Sequence, residues 1–141
     1  IIQILQGLAK AIVKYQDPSS GTWYQVTDQG AREGNYLESS ATALFIYTLA
    51  KAINKGYIGN EYIEPTQKAF DGMVKTFTCL EEDGSYTITN CCAVAGLGGD
   101  SKRYRDGSFE YYISEPIIEN DPKSVGSFIL AAIEYEKMTK K

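Results

Sequence analysis

Two stretches of this chain are apolar on nearly every side of a helix, and this feature restricts the fold more than any other. Residues 36–53 carry Leu, Ala, Phe, Ile and Tyr around the whole circumference of a helix. Residues 123–138 repeat the pattern, and Asp121-Pro122 before them is the N-cap and first-turn proline of a helix start. A helix without a broad polar face is buried all round. We therefore predict an all-α protein with two central helices in its interior.

Two further helices are predicted to be amphipathic. Residues 1–15 and a segment capped by Asn60 both place apolar residues at helical spacing beside one polar side. Asn35 is predicted to cap the helix over 36–53, with Glu38 three places on as its capping-box partner. The order amphipathic, apolar, amphipathic, apolar is typical of an α/α toroid, in which outer and inner helices alternate. Periodicity alone does not separate this fold from a four-helix bundle.

A long connection between the third and fourth helices favours the toroid. Residues 80–120 far exceed the usual length of a helix–helix connection, so we interpret them as a site-building insertion. Within them, residues 81–84 predict a turn, 85–89 a strand and 91–99 a glycine-rich segment. A second β-prone run, residues 22–26, precedes the first apolar helix. The predicted organisation is one domain, of which residues 1–141 form a part.

Charge and composition exclude several classes of function. The net charge is −4 and no basic stripe is present, which argues against a nucleic-acid partner. No apolar run reaches the roughly 18 residues of a membrane helix. The chain has no histidine, which excludes Ser-His and Cys-His catalysis within it and argues against a zinc site. The cysteines Cys79, Cys91 and Cys92 indicate the free thiols of a cytoplasmic protein rather than a disulfide framework.

Polar and aromatic residues precede both apolar helices in the sequence. Helix N-termini favour anions, so a carboxylated sugar would suit this end of the molecule. Glu38 is either a substrate contact or the acid of a capping box. Glu115 and Glu119 are either substrate contacts or acids of a solvated loop. Trp23 is either a cleft wall or a core residue, and its neighbour Gln25 points to the opposite side.

Arg105 also has two interpretations. Its guanidinium could bind a carboxylate of the substrate, or it could pair with the adjacent Asp106. Gly96-Leu97-Gly98-Gly99 lacks the Lys-Ser/Thr that would complete a phosphate loop. We interpret this run as a place where the backbone approaches another group closely.

Five ordered motifs resemble glycoside hydrolase family 105, the unsaturated rhamnogalacturonyl hydrolases, and more distantly the unsaturated glucuronyl hydrolases of family 88. They cover essentially the whole chain: QDPSSGTWYQV (16–26), NYLESSATALFIYTLAKAINKGY (35–57), CAVAGLGG (92–99), RDGSFEYYISEPIIENDPKSVGSF (105–128) and ILAAIEYE (129–136). The resemblance implies an (α/α)6 barrel of six helical hairpins, of which this chain is a C-terminal part.

The resemblance also implies a reaction. Members of the family remove the unsaturated galacturonic acid at the non-reducing end of pectin fragments by hydrating its C4–C5 double bond. An aspartate acts as general acid and base, with no metal or organic cofactor, and it lies in the N-terminal part of the barrel. This chain would then contribute no catalytic residue and be inactive alone. The substrate-binding residues that the motifs imply are Trp23, Gln25, Glu38, Ser39, Gly96, Leu97, Gly98, Arg105 and Tyr111.

Two alternatives remain open. One keeps the hydrolase fold with an unsaturated glucuronyl substrate. The other is a non-catalytic module that binds carbohydrate or another subunit, built from a partial toroid. A part of a barrel is expected to expose the surface of its inner helices, whereas a free-standing module is expected to unfold cooperatively as a monomer.

Overall fold

Helices dominate the computed structural model, which describes residues 1–30, 32–99 and 104–140. The helices are α1 (Ile2–Lys14), α2 (Ser39–Asn54), α3 (Ile63–Phe77), α4 (Phe109–Ser114) and α5 (Pro122–Thr139). The strands are β1 (Thr78–Leu80), β2 (Tyr86–Ile88), β3 (Cys91–Cys92) and β4 (Ile117–Ile118). The predicted all-α class is confirmed. Within the described ranges, no helix has the length and apolarity needed to cross a membrane.

Helix α2 lies at the centre of the molecule. It packs along α5 and against α3, so that its small and branched side chains are enclosed. Phe70 of α3 stacks on Tyr135 of α5 with 3.9 Å between ring centroids, which joins the two neighbours of α2. The core therefore follows α2, with α1 and α3 each adding one stripe; its members include Ala9, Ile12, Trp23, Ala43, Ile46, Leu49, Met73 and Phe77.

The start of α2 differs from the prediction. Asn35 is not its cap, because its side chain accepts from Val26 N and donates to the carbonyls of Val26 and Gln29. The chain then stays extended, with Gln25 N bonded to the Tyr36 carbonyl at 2.8 Å. Glu38 is the N-cap, and its side chain accepts from Ala41 N. The helix ends as expected for a glycine at C′, since Gly56 has a φ of 68°.

The third helix also begins later than predicted. Residues Asn60–Tyr62 form one 3₁₀ turn, and α3 follows from Ile63. The N-cap of α3 is Tyr62 and Asn60 lies inside the preceding turn, so the predicted role of Asn60 is wrong. Pro65 is the third residue of α3, a first-turn position where its missing N–H has no helical partner to lose.

The long connection between α3 and α5 contains short paired elements. Strands β1 and β2 form an antiparallel hairpin in which Thr78 pairs with Ile88. Strand β3 pairs antiparallel with β4, with Cys91 opposite Ile118. The predicted strand over 22–26 is wrong: only one bridge forms there, between Tyr24 and Leu37. Residues 100–103 of the predicted insertion lie outside the described ranges.

The two apolar helices are not covered all round within this chain. Asp121 caps α5 as predicted, accepting from Lys123 N at 2.8 Å. Further along, three side chains of α5 are exposed by 44% to 55% and define what we call the α5 apolar face: Ile129, Leu130 and Ile133. Leu44 of α2 is also exposed. The prediction of complete burial is thus wrong for these positions, because they lie outside the contacts that α2 and α5 make with each other.

Candidate substrate-binding site

The N-terminal ends of α2 and α5 meet at strand β3. Ser39 N at the start of α2 donates to the Asn90 carbonyl at 3.0 Å. On the other side, the Lys123 ammonium at the start of α5 donates to the Ala93 carbonyl at 3.1 Å. The segment over residues 90–93 therefore bridges the two helix starts. Both positive helix ends consequently lie at one polar end of the molecule.

Glu38 holds this junction together. One of its carboxylate oxygens accepts from Ala41 N at 2.6 Å, which caps α2. The other accepts from the Ser40 hydroxyl at 2.8 Å and from Cys92 N at 3.0 Å. Glu38 is buried, with an exposed fraction of 1%. Glu38 is therefore the N-cap of α2, and its buried carboxylate also links β3 to α2.

Trp23 and Gln25 point in opposite directions, as their alternation predicts. Trp23 has no exposed surface, and its indole N–H donates to the Ile12 carbonyl at 2.8 Å. It lies in the core, edge-on to Phe45. Gln25 points to the junction instead, where its amide donates to the Cys92 sulfur at 3.2 Å. Of this pair, Gln25 is the one placed at the polar end.

The groups around β3 are held in their neutral forms. Burial raises the pKa of Tyr36 far above its ordinary value, and the adjacent Cys92 thiol and the Glu38 charge raise it further. Burial also raises the pKa of the Cys91 thiol, with the Glu38 charge as the next cause. Neither side chain ionises at neutral pH, so neither is a base or a thiolate nucleophile here. All three cysteines are free.

A second group of predicted residues lies in the glycine-rich segment and the turn before α4. Gly98 and Arg105 exchange both backbone hydrogen bonds, at 2.8 and 2.9 Å. Gly98 has a φ of 77°, the left-handed region that favours glycine. The Tyr111 hydroxyl of α4 accepts from Gly96 N at 3.2 Å. Leu97 between them is 74% exposed. The structure thus brings Gly96, Leu97, Gly98, Arg105 and Tyr111 together.

Arg105 does not pair with Asp106. The Asp106 carboxylate instead accepts from Ser108 N at 2.9 Å, which shapes the turn into α4. The Arg105 Nε lies 3.7 Å from a carboxylate oxygen of Glu115, whose side chain has no exposed surface. Glu115 is therefore a buried ionic partner and not the solvated loop acid that its sequence context suggested. The only sequence signal was a basic residue ten positions earlier, and such spacing has no periodic meaning in a loop.

The two groups of residues are continuous through one segment of chain. Cys92 contacts Gln25 and Glu38, and four residues later Gly96 contacts Tyr111. Between them, Ala93 N donates to the Pro116 carbonyl at 2.9 Å, next to Glu115. Polar side chains from three loops therefore surround the N-terminal ends of both inner helices. Trp23, Glu38 and Ser39 support this surface from within, whereas Gln25, Leu97, Arg105 and Tyr111 are partly or fully open to solvent.

Comparison with known proteins places the chain in a family. The profile of glycosyl hydrolase family 88 matches residues 1–139. Protein Atu3128 of Agrobacterium fabrum is 37% identical over 119 residues, which are 82% of this chain and 51% of that protein. The chain thus spans about half the length of that relative.

Solved structures agree with the sequence comparison. A family 105 glycoside hydrolase of C. acetobutylicum ATCC 824 is 45% identical with a TM-score of 0.92, covering 96% of this chain and 37% of that one. A family 88 glycosyl hydrolase of Bacteroides vulgatus is 28% identical with a TM-score of 0.65, covering 97% and 35%. The predicted relationship to families 105 and 88 is confirmed, and so is the prediction that helices α1, α2, α3 and α5 form part of an α/α barrel.

Proposed function

This chain belongs to glycosyl hydrolase family 88, and from that membership we propose that it is the C-terminal part of an enzyme acting on unsaturated uronic sugars. The enzyme removes unsaturated galacturonic acid from rhamnogalacturonan or pectin fragments by hydrating the C4–C5 double bond. The 45% identity to a family 105 enzyme supports the choice of the galacturonyl over the glucuronyl sugar.

The observation that carries this proposal is the group of cations and helix ends at one side of the molecule. The chain is acidic overall, yet Lys123 lies where α2 and α5 begin, and Arg105 lies in the adjoining glycine-rich group beside Gly98 and Glu115. Lys123 is about half exposed, and its ammonium also contacts Asp121 at 2.7 Å. A guanidinium and two helix N-termini favour a substrate that carries a carboxylate.

The predicted site residues divide into two roles in this proposal. Gln25, Arg105 and Tyr111 supply polar atoms to the sugar, and Leu97 supplies an apolar edge. Trp23, Glu38 and Ser39 hold the backbone beneath them. Gly98 allows the left-handed turn of the loop, but the close backbone approach expected of this glycine run is wrong, because a Cβ at Gly98 would meet nothing within 4 Å. The catalytic aspartate comes from the N-terminal part of the barrel, which is also the partner of this chain. A cytoplasmic location is part of the same proposal.

Hydration of the double bond is tested on the full-length protein. An unsaturated galacturonyl-rhamnose disaccharide should lose the ultraviolet absorbance of its double bond, and the unsaturated glucuronyl disaccharide should lose it more slowly. The saturated galacturonyl disaccharide should not be cleaved, because it has no bond to hydrate. Equal release of sugar from the saturated compound would overturn the proposal. Loss of absorbance with residues 1–141 alone would contradict the assignment of the catalyst to another part of the barrel.

A further inference from the structure

Glu115 is a charged side chain with no exposed surface, at the end of α4. Burial of a carboxylate is costly unless the group is paired and hydrogen-bonded. Its position beside the open part of the candidate site therefore requires an explanation. Glu115 is the C-cap of α4, and its backbone is extended there, with a ψ of 141°. A negative charge at the C-terminal end of a helix is not stabilised by the helix dipole.

The Glu115 carboxylate contacts two residues of the candidate site. Its oxygen lies 3.7 Å from the Nε of Arg105. Burial raises the pKa of Tyr111, and the nearby Glu115 carboxylate is the next cause. The Tyr111 hydroxyl accepts from Gly96 N at 3.2 Å. One buried charge thus lies beside both a guanidinium and a phenol.

The arrangement divides the Arg105 guanidinium into an inner and an outer part. Nε faces the buried carboxylate, and the side chain passes Gly96, where a Cβ would lie 3.7 Å from one Nη. The side chain keeps an exposed fraction of 31%. A guanidinium has five N–H donors in a fixed plane, so anchoring the Nε edge leaves Nη donors for a ligand. An unanchored arginine would lose more side-chain entropy on binding.

We propose that Glu115 is a positioning residue, which holds Arg105 so that its Nη groups bind the carboxylate of a uronic sugar. This inference rests on the proposed function, because it assigns the acidic group of that substrate to Arg105. It adds a residue that makes no contact with the sugar itself. Among the residues that the structure describes, Glu115 acts through Arg105.

The test is a set of variants in the full-length protein, with KM and kcat measured on the unsaturated uronyl disaccharide and on its methyl ester. Glu115→Gln keeps the shape of the side chain and removes its charge. The expected result is a KM about tenfold higher on the acid, equivalent to about 1.4 kcal/mol, with kcat little changed. KM on the neutral ester should stay the same. Glu82→Gln, in the exposed turn between β1 and β2, is the control and should change neither constant.

A double-mutant cycle separates positioning from a general structural role. If Glu115 acts through Arg105, adding Glu115→Gln to Arg105→Gln should not raise KM further. This double variant removes both charges of the described Arg105–Glu115 pair, so it also covers the case in which Glu115→Gln alone fails to fold. Glu115→Asp, which keeps the charge but withdraws it by one methylene, should fall between wild type and Glu115→Gln. Additive effects, or an equal rise of KM on the ester, would overturn the inference.

Binding of galacturonic acid, measured by calorimetry, distinguishes this inference from the proposed function. If the protein binds galacturonate less tightly after Glu115→Gln but does not hydrate the disaccharide, the proposed reaction fails and the positioning role stands. If it hydrates the disaccharide but Glu115→Gln affects acid and ester alike, the positioning role fails and the reaction stands.

Discussion

At the scale of single residues, buried carboxylates organise this end of the molecule. Glu38 and Glu115 are both nearly free of solvent contact. Glu38 links α2 to β3, whereas Glu115 lies beside Arg105. In both cases the charge is enclosed because its partners are backbone N–H groups, hydroxyls or a guanidinium. Loss of either side chain should therefore disturb the packing of the loops more than the packing of the core.

Replacement of Glu38 by Ala should lower the free energy of unfolding of the full-length protein by about 2–4 kcal/mol, because a helix cap and a buried acceptor are lost together. Glu33→Ala is the control: Glu33 is exposed in the preceding loop, and its removal should change stability by less than about 0.5 kcal/mol. Chemical denaturation at neutral pH measures both. Equal effects of the two substitutions would contradict the cap-and-crosslink role.

Residue roles were predictable where they depend on local chemistry. The Asp121-Pro122 start of α5 and the glycine end of α2 follow from nearest neighbours in the sequence, and both are confirmed. The sequence does not decide whether Trp23 lies in the core or the cleft, because alternation shows that two neighbours diverge without showing which faces inward. The burial of Glu115 was not predictable, since its partner Arg105 reaches it only after α4 has folded back.

At the scale of elements, competition between hydrogen-bond partners decided the helix starts. Asn35 is a residue type that favours N-cap positions, yet its side chain bonds to Val26 and Gln29, so α2 begins three residues later than predicted. Asn60 similarly opens a 3₁₀ turn instead of capping α3. Sequence periodicity indicated each of the four long helices, but tertiary contacts set the first turn. The short strands β3 and β4 depend on pairing across more than twenty residues, which no local pattern reports.

The cap of α5 should make stability depend on acid pH. The hydrogen bond from Lys123 lowers the pKa of Asp121 below its ordinary value of 3.8. A lowered pKa in the folded state means that the carboxylate stabilises the protein fully above the unfolded value. This contribution is lost as the pH falls through the folded pKa.

Asp121→Ala should therefore lower the denaturation midpoint at neutral pH, and the difference from wild type should shrink as the pH falls below that range. The control is Asp28→Ala, which removes an exposed acid of the first loop and should show little difference at any pH. A difference for Asp121→Ala that is independent of pH would contradict the charge-based explanation.

Two helical glycines should respond to alanine with opposite signs. Gly72 of α3 is buried, and a Cβ there would overlap the Ser20 carbonyl oxygen. Gly72→Ala should therefore destabilise the protein by about 1–3 kcal/mol, the usual range for overpacking. A Cβ at Gly7 of α1 would meet nothing within 4 Å, so Gly7→Ala should stabilise by about 0.5–1 kcal/mol through helix propensity. Thermal melts of the two variants compare them directly; a stabilising Gly72→Ala would contradict the packing argument.

At the scale of the whole molecule, the exposed apolar surface of the inner helices fits a part of a barrel. This chain covers only 37% of the matched family 105 structure, so most of that barrel has no counterpart here. Ile129, Leu130 and Ile133 are open, although α5 has the composition of a buried helix. We therefore expect the α5 apolar face to pack against the remaining helices of the barrel in the full-length protein. A contiguous apolar surface of this kind otherwise drives association.

Residues 1–141 produced alone should self-associate through the α5 apolar face, and Ile129→Glu with Ile133→Glu should reduce the associated fraction in light scattering. The same pair of substitutions in the full-length protein should cost about 3 kcal/mol or more, because the new charges would be buried without partners. Leu97→Glu, at a more exposed apolar position in a loop, is the control. It should change neither the associated fraction of residues 1–141 nor the stability of the full-length protein. If the isolated chain is a monomer that unfolds cooperatively, it is a free-standing module instead, because its apolar helices then need no further cover.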